Sequence, residues 1–177
     1  MILVLSASLN PGSRSRILAT ACREHLESLH REVMWFDLAS TPLPFCDGAA
    51  AYGDPNVVEL GKLIGAADAV FIASPVYNYD VNAAVKNAVE LTGKKWTEKI
   101  VAMMLAAGGT GSYMSAMGFA NSLMLDFRCL IVPRFVYATG ESFEGNSLAD
   151  DEIQSRVELL VHDTLHLADA LRSAKAE

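Results

Sequence analysis

The chain predicts an α/β domain built on a parallel sheet that is wound in both directions from its first strand. Three observations carry that expectation. Apolar runs alternate with helix-period segments five times over along the 177 residues. The runs Ile2-Leu-Val-Leu5 and Ala69-Val-Phe-Ile-Ala73 are continuous rather than alternating, as befits strands covered on both faces. The last run, Leu130-Ile-Val132, is broken by Pro133, which cannot donate to a ladder and therefore belongs at a sheet edge. A five-stranded sheet in the order 2-1-3-4-5 puts its last strand at an edge, in agreement.

Each element follows in turn. Helical spacing starts at Arg16 and buries Ile17, Leu18, Ala21, Cys22, Leu26 and Leu29. A short second strand covers 33–36 and ends at Asp37. Residues 40–55 hold Pro42, Pro44, Gly48, Gly53 and Pro55 and read as an exposed loop, long enough to be a lid or an interface. A helix over 57–64 closes near Gly65, and the third strand covers 69–73. The next helix buries Val81, Ala84, Val85, Ala88 and Val89 and stops at Gly93. The fourth strand, 100–107, runs into Gly108-Gly109-Thr110-Gly111-Ser112, and a Met-rich helix over 113–125 follows. The final helix, 150–173, buries Ile153, Val157, Leu160, Val161, Leu165, Ala168 and Leu171. Asp150 and Asp151 at its start, with Arg172 and Lys175 at its end, complement its dipole. Repeats, low-complexity tracts and linkers are absent from the sequence, so a single domain over 1–177 is expected.

Composition narrows the partners. A chain of this size can bury about 70% of its unfolded surface. At 51% apolar and 20% charged residues, it is expected to be ordered. A net charge of -7 without clustered Lys and Arg argues against a nucleic-acid partner. Cys22, Cys46 and Cys129 show no CxxC spacing and fit reduced thiols in a cytoplasmic protein. The apolar start at Met1 lacks a basic leader and is too short for a signal peptide or a span, so no membrane association is expected.

Two segments at strand ends carry the chemistry. The stretch 6–16 offers the hydroxyls of Ser8, Ser13 and Ser15, the amide of Asn10, backbone N–H groups, and a helix N-terminus behind them. Gly12 lets the backbone approach closely, so a phosphate can be held there, with Arg14 or Arg16 adding charge. The stretch is neither a GxxxxGK loop nor a GxGxxG turn, and read alone it is equally a Ser/Asn-rich helix cap. Ser74-Pro75-Val76-Tyr77-Asn78 reads either as a plain strand exit or as a backbone edge for a flat heteroaromatic ring. Tyr77 would border or stack on that ring, and Asn78 would hold the turn or touch a heteroatom of the ring. Gly108 and Gly109 are either a tight turn or the bare floor on which a ring lies flat. The switch point between first and third strands brings the two segments together. A phosphate at one end and a ring at the other describe FMN.

With these residues in view, the chain resembles the NAD(P)H-dependent FMN reductase family. The resemblance rests on three motifs in order, Ala7-Ser8-Leu9-Asn10-Pro11-Gly12-Ser13-Arg14-Ser15, Pro75-Val76-Tyr77-Asn78 and Gly108-Gly109, and it covers essentially the whole chain. Ser13-Arg14-Ser15 and Pro75-Val76-Tyr77 look most like the branch that supplies reduced flavin to sulfonate-type monooxygenases. Asn78 and Lys86-Asn87-Ala88 look more like the quinone, azo-dye and chromate reductase branch. The resemblance implies a flavodoxin-like three-layer sandwich and an FMN cofactor. NADH or NADPH would be the hydride donor, and a flavin, a quinone or a similar small molecule the acceptor. It also implies a homodimer or higher homo-oligomer. The cofactor residues it implies are Ser8, Asn10, Ser13, Ser15, Arg16, Pro75, Val76, Tyr77, Asn78, Gly108 and Gly109, with no side chain as acid or nucleophile. Two departures stand out: Asn10 replaces a frequent Arg, and Val76 replaces a common Glu.

Other features compete for attention. His162 and His166 stand four residues apart on the last helix, as in a zinc site, but with Asp163 where the motif has Glu. Their default role is on a solvated helix face, and a metallohydrolase is the reading they would serve. Met114, Met117 and Met124 read as core or dimer packing. Trp35 and Trp96 read as structural. A flavodoxin-type electron carrier shares the expected fold, although the T-x-T-G-x-T loop usual in carriers is missing. An iron–sulfur flavoprotein is excluded because the cysteines form no cluster.

Overall fold

In the computed structural model, which describes residues 1–174, a parallel sheet lies between two helical layers. Lys175, expected at the end of the last helix, lies outside the described residues. The elements run β1 (Ile2–Ser6), α1 (Arg14–Ser28), β2 (Val33–Asp37), α2 (Pro55–Ala66), β3 (Ala69–Tyr77), β4 (Asp80–Val81), α3 (Ala83–Thr92) and β5 (Ile100–Ala106). Then follow α4 (Ala116–Phe127), β6 (Leu130–Ile131), β7 (Val136–Ala138), a hairpin of β8 (Phe143–Glu144) and β9 (Ser147–Leu148), and α5 (Asp151–Ala174).

The strands stand in the order β2-β1-β3-β5-β6, with β7 also paired to β5. With β6 and β7 counted as one interrupted strand, this is the expected five-stranded order. Pro133 falls in the gap between them, on the edge. Register is in phase across the sheet, with Ile2 level with Val33 and Ala69, and Ala69 level with Ile100. Alternate residues therefore face opposite layers. Leu3, Leu5, Val70, Ile72, Val101 and Met103 pack against α2, α3 and α4. Ile2, Val4, Phe71, Ala102 and Met104 pack against α1 and α5. Strands buried on both faces explain the unbroken apolar runs.

Several boundaries differ from expectation for local reasons. Helix α1 starts at Arg14 because Ser13 caps it, its Oγ accepting from the Arg16 N–H at 3.3 Å. Helix α2 starts at Pro55, the first helical position, where a missing N–H costs nothing, with the Asp54 carboxylate capping Asn56 and Val57. It also runs past Gly65. Val81 is not helical: β4 folds back on β3, pairing Val76 with Val81 and Tyr77 with Asp80. The connecting pair Asn78 and Tyr79 has φ of 50° and 65°, the left-handed turn that suits a two-residue hairpin. Met114, Met117 and Met124 are exposed rather than core, and Leu29 and Leu171, each at a helix end, are also exposed. The 40–55 loop contains a short helical turn, Ala50–Gly53, and is tied down. The Asn87 amide bonds both the Cys46 N–H and the Pro44 carbonyl at 2.9 Å, and Asn56 holds the Pro42 carbonyl. A loop held at three points is a poor lid.

Candidate functional site

The carboxyl ends of β1 and β2, Ser6 and Asp37, come level with Ala73 of β3, which runs on to Tyr77. Immediately beyond them, the chain turns in three places around one open cleft of about 480 Å³. Its walls include Asn10, Ser13 and Ser15 at one end, Pro75 to Tyr77 in the middle, and Gly108 beyond. Segments far apart in sequence meet here because α1 and α3 leave the sheet on opposite faces at the switch point.

The first loop shapes itself. Ser8 is buried, and its Oγ accepts the Asn10 N–H at 3.1 Å. Asn10 in turn accepts the Gly12 N–H on its side-chain oxygen at 3.0 Å and the Ser13 N–H on its carbonyl at 3.1 Å. These N–H groups are spent within the loop, which corrects the expectation of a run of free backbone donors. Ser13, Arg14 and Ser15 at the start of α1 line the cleft, with the Ser13 and Ser15 hydroxyls 3.0 Å apart and the first-turn N–H groups without intrahelical partners. Ser8 is thus a brace beneath the cradle rather than part of its surface.

Arg16 does not join this cleft. Its guanidinium pairs with the buried Asp37 carboxylate at 2.7 Å and donates to the Pro11 carbonyl at 3.4 Å. It faces a different space, of about 510 Å³, between α1 and the β8–β9 hairpin. Asn78 is also outside: it lines a neighbouring space with Lys86 and Phe119, and the exposed Tyr77 divides the two.

At the ring end, Gly108 lines the cleft with open space where a side chain would stand, while Gly109, equally bare, is not among the lining residues. The Gly109 carbonyl accepts from the Tyr137 hydroxyl, whose ring packs edge-on against Tyr113 at 5.5 Å. Asn82 ties the rims together. Its Nδ2 donates to the Ala7 carbonyl at 2.6 Å, its Oδ1 accepts from the Ser74 hydroxyl at 3.1 Å, and it caps α3 at the Val85 N–H. Sequence reasoning missed Asn82 and Tyr137, and it named Arg14 only as an alternative to Arg16. Only Asn82 left a local trace, as an Asn before an apolar helical run.

The remaining candidates lie elsewhere. His162 and His166 are exposed on α5, and the described residues contain no group of three His, Cys, Asp or Glu that would hold a metal. Trp96 is buried, donating to Thr92 Oγ1 at 2.7 Å, and Trp35 lies under the Arg23 guanidinium at 4.7 Å. Neither Trp lines the cleft. Burial pushes the Cys22 thiol up, and likewise Cys129, to about 11, so neither offers a thiolate near neutral pH. No helix among the described residues is long and apolar enough to cross a membrane.

The family model described as NADPH-dependent FMN reductase matches residues 1–144. An NAD(P)H:quinone oxidoreductase of Solanum tuberosum is 30% identical, covering 86% of this chain and 84% of the relative. An NAD(P)H-dependent FAD/FMN reductase of Geobacillus thermodenitrificans is 27% identical, over 80% of this chain and 78% of the relative. A solved oxidoreductase of Corynebacterium diphtheriae shares the fold, with a TM-score of 0.77 over 96% of both chains at 19% identity. The chain belongs to the NADPH-dependent FMN reductase family, and so to the oxidoreductases that use FMN with NADPH or NADH.

Proposed function

We propose that the protein passes reducing equivalents from NADPH or NADH through FMN to a small acceptor of the quinone class. The carrying observation is the single cleft that joins the 10–15 loop, Pro75 to Tyr77 and Gly108. The quinone assignment rests on the Solanum tuberosum relative, described as a quinone oxidoreductase. The residues fit the cofactor: hydroxyls and a helix N-terminus suit a phosphate, and bare glycines opposite a strand end suit a planar ring.

FMN, when bound, would supply the two-electron chemistry between nicotinamide and acceptor. The chain's own part is placement. Ser13, Ser15 and the first-turn N–H groups of α1 would hold the phosphate. Pro75 and Val76 present a backbone wall, while Tyr77, exposed at the rim, borders the ring and screens one side from water. Asn82 and Ser74 keep that wall at a fixed distance from the phosphate loop, which sets the pose in which reacting atoms approach to about 3–3.5 Å.

A homodimer and a cytoplasmic setting belong to the same reading. Phe45 is 86% exposed and Leu125 76% exposed, and Met117 and Met124 stand on the outer face of α4, an apolar face of the kind dimers cover. The cysteines are unpaired, as a reducing compartment favours. Anaerobic oxidation of NADPH and NADH by the FMN-loaded protein, with a benzoquinone in excess, tests the activity. Turnover with either nucleotide supports it; bound FMN that neither nucleotide reduces would turn the reading to a one-protein electron carrier. Sedimentation of the wild type and Leu125→Glu tests the dimer, which should dissociate in the variant.

A further inference from the structure

We infer that Gly140 and Phe143, contributed from far along the chain, are positioning residues that hold Arg14 as the cation of the phosphate cradle. The inference rests on the FMN site proposed above. Asn10 brings no charge to the loop. Arg16 is already committed to Asp37 at 2.7 Å. Arg14 lines the cleft beside Ser13 and Ser15, and among the described residues no carboxylate forms an ion pair with it.

Two contacts aim it. The first is Gly140. A Cβ built there would lie 2.9 Å from Arg14 Nη1, 3.4 Å from Cζ and 3.5 Å from Nη2. The guanidinium therefore fills the space that any other residue's side chain would take. Gly140 does not have a left-handed φ, so its backbone makes no demand for glycine, and that space is the demand. The second is Phe143, whose ring centroid is 5.9 Å from Arg14 Cζ, within cation–π range. This shelf is itself anchored. Gly140 opens the turn Gly140–Ser142, and Ser142 donates from its hydroxyl to Asp150 at 3.1 Å, just ahead of α5. The turn after β7 thus reaches back to set a side chain on α1. A planar guanidinium held at a phosphate cradle supplies bidentate, charge-assisted hydrogen bonds, which a flexible unpositioned Arg supplies poorly.

Titration with FMN and with riboflavin tests this, because riboflavin lacks the phosphate. The protein is stripped of flavin, and binding is read by fluorescence for the wild type, Arg14→Gln, Gly140→Ala, the double variant and Arg16→Gln. Arg14→Gln should weaken FMN about tenfold to a hundredfold and leave riboflavin unchanged. Gly140→Ala displaces only the far end of a flexible side chain, so the fold survives; FMN should weaken about three- to tenfold, again without change in riboflavin. In the Arg14→Gln background Gly140→Ala should add nothing, since its effect passes through Arg14. Arg16→Gln should leave the ratio of FMN to riboflavin affinity unaltered. An unaltered ratio in Arg14→Gln, or an equal effect of Gly140→Ala with and without Arg14, overturns the inference while leaving the FMN site standing. A wild type that binds FMN no better than riboflavin overturns the phosphate cradle itself.

Discussion

The two ends of the sheet use polar groups in opposite ways. At the amino ends of the strands, Arg31 pairs with Asp169, Arg172 and the Met1 amine converge on Asp68, and the Lys99 ammonium caps the carbonyls of Gly65 and Ala67. Burial works against the Asp68 carboxylate, yet the amine and Arg172 outweigh it and hold its carboxyl below the usual range. At the carboxyl ends, Arg16 and Asp37 form one closed pair, while hydroxyls, first-turn N–H groups and Arg14 face an open cleft. One end answers its own charges. The other leaves donors at an open cleft beyond the strand ends, whereas the larger groove of about 950 Å³ between α3 and α4, which carries Lys86, Lys94 and Arg128, lies away from them.

The largest expected effect tests whether the open end is held rigid from beneath. Asn82→Ala removes the side-chain bridge between the Ala7 carbonyl and Ser74, leaving the bond from the Ala7 N–H to the Ala73 carbonyl, and uncaps α3. Leaving buried polar groups unpaired and losing a cap together should cost about 2–4 kcal/mol. The melting temperature should fall by about 5–15 °C, and FMN affinity should fall with it. A variant that melts within 2 °C of the wild type, roughly 1 kcal/mol or less, would show that the rims are not tied through this residue.

A smaller effect separates the cradle from its support. Ser15→Ala removes the hydroxyl of a buried residue that lines the cleft, so it should weaken FMN by about tenfold, a charge-assisted hydrogen bond's worth. Ser13→Ala should do the same and also cost about 1 kcal/mol of stability, because Ser13 caps α1. Flavin titration and thermal melts of both variants check the split. Equal loss of stability in the two would mean that Ser15 is a structural hydroxyl and that the cradle is narrower than drawn.

The contrast between the ends also explains what could be read from sequence. Strand order, the three converging segments and the edge at Pro133 were legible because they follow from continuous apolar runs and turn residues, which are local. The partners of those segments were not. Arg14 and Arg16 are alike in sequence, and only the buried Asp37 on β2 and Gly140 after β7 tell them apart. The β4 strand was hidden because two residues carry no periodicity. Met114, Met117 and Met124, which are exposed, could be read from sequence only as core or dimer packing for a related reason: an apolar helix stripe has the same spacing whether it meets the core or faces outward.

The smallest effect checks that the closed end is electrostatically separate from the site. The Asp169 carboxyl is held below the usual carboxylate range, chiefly by its hydrogen bond from Arg31. A depressed folded pKa contributes stability that is present above the unfolded value, about 4, and is lost as pH falls through the folded value. The stability gap between wild type and Asp169→Asn should therefore be constant from pH 8 to about 5 and close below about 4. Both partners are well exposed, so solvent screening limits the gap to about 0.5 kcal/mol, and added salt should shrink it. FMN affinity should not move at any of these pH values on account of this substitution. A charge at the far end of the sheet that altered cofactor binding would mean the two ends are coupled through the strands, and the division between a self-satisfied end and a ligand-binding end would fail.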